Sequence, residues 1–396
     1  CRVAAVLVTD GEQRAALAAV RSLAAAGHTV FVCSPRSRSL AGASRHCRAH
    51  APVPDPLTEP AAFVAAVRGL IRRNGVDVLL PITEPSLLAL LPERETLGAL
   101  LPFAGLAEFE RICDKGAVME AARAVGIGVP AQLRVESVEE ARAVDPGALR
   151  FPLVLKPSRS VVSANGKRAK SSVVHLRDGT ALRSALDALP PGAYPVLLQE
   201  RIVGPGVGIF VLLWEGEVVA AFSHRRIREK PPSGGVSVYR ESHPLDPALL
   251  ERSVALLRAF GWQGVAMVEY KLDAATGKAY IMEINGRFWG SLQLALDAGV
   301  DFPALLLQAA AGARPAPVTS YRTGVRLRWT LGEVDHLIAR MRRSREELAL
   351  PEDAPGLGGA VAQFVAAFGP GRRGEVFRAS DPGPALREAL DWLRGR

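Results

Sequence analysis

Two glutamates, an amide and an arginine crowd the stretch EYKLDAATGKAYIMEINGRF, Glu269 to Phe288. It reads as two short strands, GVAMVEYKLD and KAYIMEIN, joined by a tight turn. A three-residue loop, Ala275-Thr276-Gly277, puts Gly277 in the left-handed position such loops favour. Ala274 then faces Lys278, and counting outward sets Glu269 directly opposite Glu283. Asn285 lies two residues beyond Glu283, on the same face. Like charges opposed on a sheet are destabilising; they are tolerated when a cation sits between them or one is protonated. Two carboxylates and an amide oxygen form a hard, all-oxygen set suited to Mg²⁺ or Mn²⁺ bridging to phosphate oxygens. A solvated face with two unrelated acids is the plain alternative.

A triphosphate needs several cations around it, and Lys115, Lys156 and Arg287 are the candidates. Lys156 ends the apolar strand FPLVLKPS, where a lone lysine is costly unless its ammonium reaches solvent or an anion. The following segment, Ser158 to Ser172, carries Arg159, Lys167, Arg168 and Lys170 among Ser, Asn and Gly. It reads as a polar loop that could fold over phosphates through backbone N–H groups, or as a plain surface loop. Gln199 and Glu200, at the end of YPVLLQERI, offer side chains to a purine edge, with main-chain groups to follow.

The elements that must position these residues fall into contrasting parts. VAAVLVTD, then the helical EQRAALAAVRSLAAAGH, then TVFVCSP make a strand–helix–strand unit, and FVAAVRGLIRRNG with VDVLLPIT repeats the scheme. This predicts a doubly wound parallel sheet over the first hundred residues. TDGEQRA lacks the G-x-G-x-x-G of a dinucleotide fingerprint, so a nicotinamide cofactor is not supported. CDKGAVMEAARAVGIGVP reads as a helix ended by Gly126. The middle of the chain is strand-rich and antiparallel in character, with a hairpin turning at Glu215-Gly216. The tail holds one strand-like stretch, GVRLRW, and two helical ones.

Composition narrows the function classes. The 396 residues imply two or three domains. A net charge of +9 invites polyanions, but the basic residues are dispersed and no aromatics interleave with them, which argues against a nucleic-acid partner. Cys1, Cys33, Cys47 and Cys113 form no C-x-x-C pair, and a reducing cytoplasm fits best. No apolar stretch reaches the length of a membrane span, and the N-terminal residues read as structure rather than a signal peptide. His46, Cys47 and His50 have a helical i,i+4 spacing that can bind zinc, but no further ligands stand nearby. Among the other histidines, His224 sits near arginines and reads as a base or a core residue.

Together, DK at Asp114-Lys115, FPLVLKPS, VLLQERIVGPGVG, HRRIREKPPSGGVSV, GVAMVEYKLD and MEINGRFWGS resemble the ATP-grasp superfamily, in its order of motifs, over residues 1 to 315. Closest in pattern are carboxylate–amine ligases that carry a small α/β domain in front. The resemblance implies an α/β pre-ATP-grasp domain (1–110), a two-lobed α+β ATP-grasp domain (111–315, small lobe 130–202) and a C-terminal extension (316–396). It implies phosphate contacts from Lys115 and Lys156. Adenine would be held by Glu200 and the main chain of Arg201 and Ile202, with Gln199 and Met267 in the same cofactor set. Glu269, Glu283 and Asn285 would bind one or two Mg²⁺ (or Mn²⁺), and Arg287 would stabilise the transferring phosphate. The implied chemistry turns a carboxylate into an acyl-phosphate at the expense of ATP, for displacement by an amine or, less often, a thiol.

The stretch SHRRIREKPPSGGVS is the candidate substrate wall. Arg225, Arg226 and Arg228 can clamp a carboxylate bidentately, and Ser233-Gly234-Gly235 can bring backbone N–H groups to an anion. An exposed, arginine-rich edge strand is the alternative. Two features depart from the resemblance. Gly206, Val207 and Gly208 stand where many relatives place a ribose-binding acid, and Gly290 and Ser291 stand where some carry a second arginine. A nucleotide-binding regulatory or assembly module that has lost turnover is therefore the rival reading, with a polyanion binder behind it. Small-molecule carboxylate and amine partners and a homodimer are the expected associations. Residues 316–396 either complete the clamp, with Arg326 and Arg328 near the site, or form an interface.

Overall fold

Four β-sheets organise the chain in the computed structural model, which describes residues 3–159, 161–164, 167–170, 173–351, 353–369 and 371–395. The first is parallel, built from β1 (Ala5–Val8), β2 (Thr29–Ser34), β3 (Ala49–Pro52) and β4 (Val78–Leu80) in the order β3-β2-β1-β4. The apolar runs that signalled these strands are needed because helices cover a parallel sheet and bury it. The helix Arg14–Ala25 buries Ala15 to Val20 and Leu23, and Pro60–Asn74 stops at Gly75, whose φ of 59° suits glycine. His50 lies in β3 rather than on a helix, so the helical spacing read for His46 and His50 does not form.

The second sheet is antiparallel and has its own core around Leu155, Leu182 and Leu198. Its strands are β5 (Gln132–Val135), β6 (Leu153–Pro157), β9 (Val174–Leu176) and β10 (Val196–Glu200), in the order β5-β10-β6-β9. Between β6 and β9 the segment expected as a loop contains a hairpin, β7 (Val161–Ala164) with β8 (Lys167–Lys170). The side chains of Lys167, Arg168 and Lys170 lie outside what is described.

The largest sheet has seven strands in the order β15-β14-β11-β12-β13-β16-β17. These are β11 (Gly206–Trp214), β12 (Glu217–Lys230), β13 (Val236–Ser242), β14 (Gly264–Leu272), β15 (Ala279–Asn285), β16 (Arg326–Arg328) and β17 (Arg372–Gly374). The β11–β12 hairpin turns at Glu215 and Gly216, both with positive φ (50° and 80°), as expected from their sequence.

The tail departs from its two-helix expectation. Residues 316–396 supply two strands of this sheet and three helices, Thr330–Arg342, Leu357–Ala366 and Gly383–Leu393. They also reach back to the beginning of the chain. The buried carboxylate of Glu375 accepts from Arg14 and pairs with Arg240 of β13, and Asp381 accepts from Arg21 at 2.8 Å and from Ser44 at 2.8 Å. Among the described residues no helix is long and apolar enough to cross a membrane.

Candidate active site

Register across the large sheet assembles the site. Gly208 of β11 pairs with His224 on one side and Glu269 on the other, and Glu269 pairs with Glu283. One cross-strand row therefore runs His224, Gly208, Glu269, Glu283. The next row runs Phe210, Met267, Asn285. The opposition of Glu269 and Glu283 holds, but through two departures that cancel. Asp273 bonds to Lys278 (N to O, 2.9 Å), so Ala274 does not face Lys278, and the loop is one residue longer than expected. A bulge at Met282 then restores the register. That bulge also brings Met282 to the cleft beside Glu283.

The cleft above these rows has a volume of about 870 Å³. It gathers Lys115, Lys156, Glu200, Arg201, Ile202, Arg226, Met267, Glu269, Glu283, Asn285 and Arg287, together with Ser233, Gly234 and Gly235. Lys115 opens the helix Lys115–Ala124, where Asp114 caps Gly116 and Ala117 (2.8 and 3.2 Å). Its ammonium lies 3.6 Å from Glu283. Asn285 donates to Glu283 at 2.9 Å and accepts from Arg287 at 2.9 Å. Arg226 donates to Glu269 at 2.5 Å and to Glu229 at 2.8 Å.

These contacts split the titration of the two opposed acids. Burial raises Glu269, with Arg226 opposing it and the charges of Glu283 and Glu229 adding to it. Burial also acts on Glu283, but Lys115, the Asn285 hydrogen bond, Lys156 and Arg287 together hold it below the usual carboxylate range. Lys156 falls to about 8, chiefly by burial, with Glu283 resisting the shift. An environment that pushes neighbouring acids apart and depresses a lysine is typical of functional clefts.

Three expected residues do not line the cleft. Gln199 is buried within the small sheet and donates to Gln132 at 2.6 Å. Arg225 points away and pairs with Glu241 at 2.5 Å. Arg228 pairs with buried Glu333 and stacks on Tyr239, its guanidinium carbon 4.6 Å from the ring centre. Strict alternation would have placed Arg226 and Arg228 on one face. A bulge between them in β12 turns Arg228 away and swings Glu229 into the cleft. Arg326 and Arg328 are likewise committed, to Glu241 (3.0 Å) and Glu333 (2.5 Å).

Other lining residues carried weaker signals. Lys271 shares the face of Glu269 by alternation and pairs with Glu229 at 3.2 Å. Glu12, Gln13 and Arg14 follow β1, at the carboxyl end of a parallel strand, where α/β sheets generally bind ligands. Trp329, Glu388 and Trp392 come from the tail, which is part of the cleft wall. His224 is fully buried and held neutral by burial, with Nδ1 3.1 Å from the Ser291 hydroxyl.

Residues 193–333, which span the hinge, the acidic hairpin and the strand β16, match a family described as ATP-grasp in the biosynthetic pathway with Ter operon. That stretch is similar to ATP-grasp proteins. The chain is 29% identical over 243 residues to a Streptomyces coelicolor protein provisionally assigned as a D-alanine–D-lactate ligase; the match spans 55% of this chain and 65% of that one. The chain thus represents less than two thirds of the length of the curated relatives it matches. Its ATP-grasp fold is shared with the L-amino acid ligase of Bacillus licheniformis (TM-score 0.62, 19% identity, 80% of this chain and 76% of that one). It is shared also with the biotin carboxylase domain of the Hydrogenobacter thermophilus 2-oxoglutarate carboxylase, solved with MgADP (TM-score 0.62, 16% identity, 82% and 74%).

Proposed function

We propose that this protein is an ATP- and Mg²⁺-dependent ligase that activates a carboxylate as an acyl-phosphate and joins it to an amine. The observation that carries the reading is the meeting, in one cleft, of three cations (Lys115, Lys156, Arg287) with the oxygen donors Glu269, Glu283 and Asn285. Two carboxylates and an amide fit a hard cation whose remaining ligands are phosphate oxygens and water. Such a cation would draw charge from the phosphates.

The chain's own part is positioning and neutralisation. Lys115 and Lys156 face the phosphates. Glu200, Arg201 and Ile202 hold the adenine. The Arg201 N–H is committed to the Pro152 carbonyl (3.2 Å) and its side chain to Ala349, so its carbonyl is what it offers a base. Arg287 steadies the phosphoryl group in transit. A substrate carboxylate oxygen attacks the γ-phosphorus, ADP leaves, and the amine then displaces phosphate from the acyl carbon. Arg226 and the Ser233-Gly234-Gly235 turn form the substrate wall.

The relative assigned to D-alanine and D-lactate raises a hydroxy acid as a second class of acceptor. The test is ADP release over a panel of carboxylates paired with amines and hydroxy acids. Substrate-pair-dependent ADP release supports the reading; failure to bind Mg-ATP at millimolar concentration refutes it.

A further inference from the structure

The geometry points to Arg226 as a resident counter-cation for Glu269, one that competes with a divalent cation for the same carboxylate; we propose that cation loading drives it off into the cleft. The inference rests on the reading of Glu269 and Glu283 as the cation site. Arg226 comes from the neighbouring strand but one, and it reaches Glu269 only because β11 lies bare between them. A Cβ on Gly206 would stand 2.8 Å from the Arg226 Cδ, and Gly208, one pair along, carries no side chain either. The guanidinium thus crosses β11 over glycine.

Its two terminal nitrogens have different partners. Nη1 donates to Glu229 (2.8 Å) and to the carbonyl of Gly235 (3.1 Å), while Nη2 donates to Glu269 (2.5 Å). Glu229 is also paired with Lys271, so it keeps a counter-charge wherever Arg226 goes. Among the described residues the buried Arg226 Nε has no hydrogen-bond partner, so this pose is not fully satisfied by them. Arg226 takes only Oε2 of Glu269, but a divalent cation on the same carboxylate would repel the guanidinium beside it, so the two compete for one negative charge. Arg226 is therefore a wall residue whose availability the cation controls. Its Nη2 edge becomes available to an anion in the cleft only once the cation is in place, and its hold on the Gly235 carbonyl couples the same event to the Ser233–Gly235 turn.

The experiment is the dependence of the thermal unfolding midpoint on MnCl₂ for the full chain without nucleotide, with hydrogen exchange at residues 231–236. Four proteins are compared: wild type, Arg226→Met, Gly206→Ala and Glu269→Gln. Gly206→Ala keeps every charge and only crowds the Arg226 stem, so it reports even if Arg226→Met folds poorly. Half-saturation by Mn²⁺ is expected to fall about tenfold in Arg226→Met and about threefold in Gly206→Ala, ordinary sizes for coupling between two ligands. Exchange at 231–236 is expected to rise with Mn²⁺ in wild type and to be already high in Arg226→Met. Unchanged or weaker Mn²⁺ response in both substitutions, with Glu269→Gln losing it, overturns the role of Arg226 and leaves the clamp reading intact. Glu269→Gln responding like wild type, or no Mn²⁺ response in any protein, overturns the cation site and the proposal with it.

Discussion

Glu269 and Glu283 face each other across the β14–β15 ladder, yet each has its own basic partner: Arg226 for the first, Lys115 for the second. Glu283 is held below the usual carboxylate range while burial raises Glu269, so under the proposed function Glu283 is the firmer cation anchor. Glu283→Gln should lower ATP turnover by about 10²–10³-fold, the size typical of losing one electrostatic contact at a transferring group. Steady-state ADP release and circular dichroism check this. An unchanged rate in a folded variant removes Glu283 from the chemistry, and a retained partner interaction without turnover would favour the regulatory rival.

Lys156 gives a pH signature. Its pKa is about 8 in the fold against an ordinary 10.5. Between those values the unfolded chain holds a proton the folded chain has lost, so folding stability from this group rises with pH through that window. Below pH 8 the cost of the buried ammonium is felt in full. Phosphates restore the proton, so nucleotide affinity should be highest below about pH 8 and fall above it. Titration calorimetry near pH 8.5 in two buffers of different ionisation enthalpy should show proton uptake in wild type and none in Lys156→Met.

Glu375 ties together the first helix and β13 through Arg14 and Arg240. Glu375→Ala strands two arginines, one of them fully buried, and should cost about 3–5 kcal/mol. Urea unfolding followed by tryptophan fluorescence measures it, with the first transition moving to lower denaturant. A midpoint within error of wild type would show that the arginines find water instead.

Arg225 and Arg226 are adjacent but face opposite ways. Arg225→Ala removes a half-exposed surface pair with Glu241 and should change stability by at most about 1 kcal/mol. Its effect on KM should stay within twofold. Arg226→Ala should raise KM for the carboxylate at least tenfold. Equal effects from both would contradict the alternation that sets them on opposite faces of β12.

How far the site could be read without coordinates depends on how local each signal was. Glu269, Glu283 and Asn285 share one hairpin, where alternation and turn chemistry reach, and even there two one-residue departures had to offset each other. Arg228 was misplaced because a bulge leaves no mark in an alternating stretch. Gln199 sits at the same strand end as Glu200, but one residue decides between core and cleft, and the partner that decided, Gln132, is 67 residues away. Glu12, Arg14 and Trp329 join the cleft only through the packing of three distant parts of the chain, which no periodicity encodes. The parallel first sheet, the antiparallel middle and β16, read from GVRLRW, followed from apolar runs and turn residues, whereas the short β17 forms only by adding to an existing edge.

The bond between Arg14 and Glu375 spans 361 positions. During synthesis the first sheet and the acidic hairpin leave the ribosome long before residues 375 to 392, and domains generally fold in that order. A nascent chain stalled after the hairpin would own Lys115, Lys156 and Arg287 yet lack Trp329, Glu388 and Trp392 from its wall. The cleft wall therefore closes only once the helix Gly383–Leu393 has been made, and shorter polypeptides carry a trough open on that side.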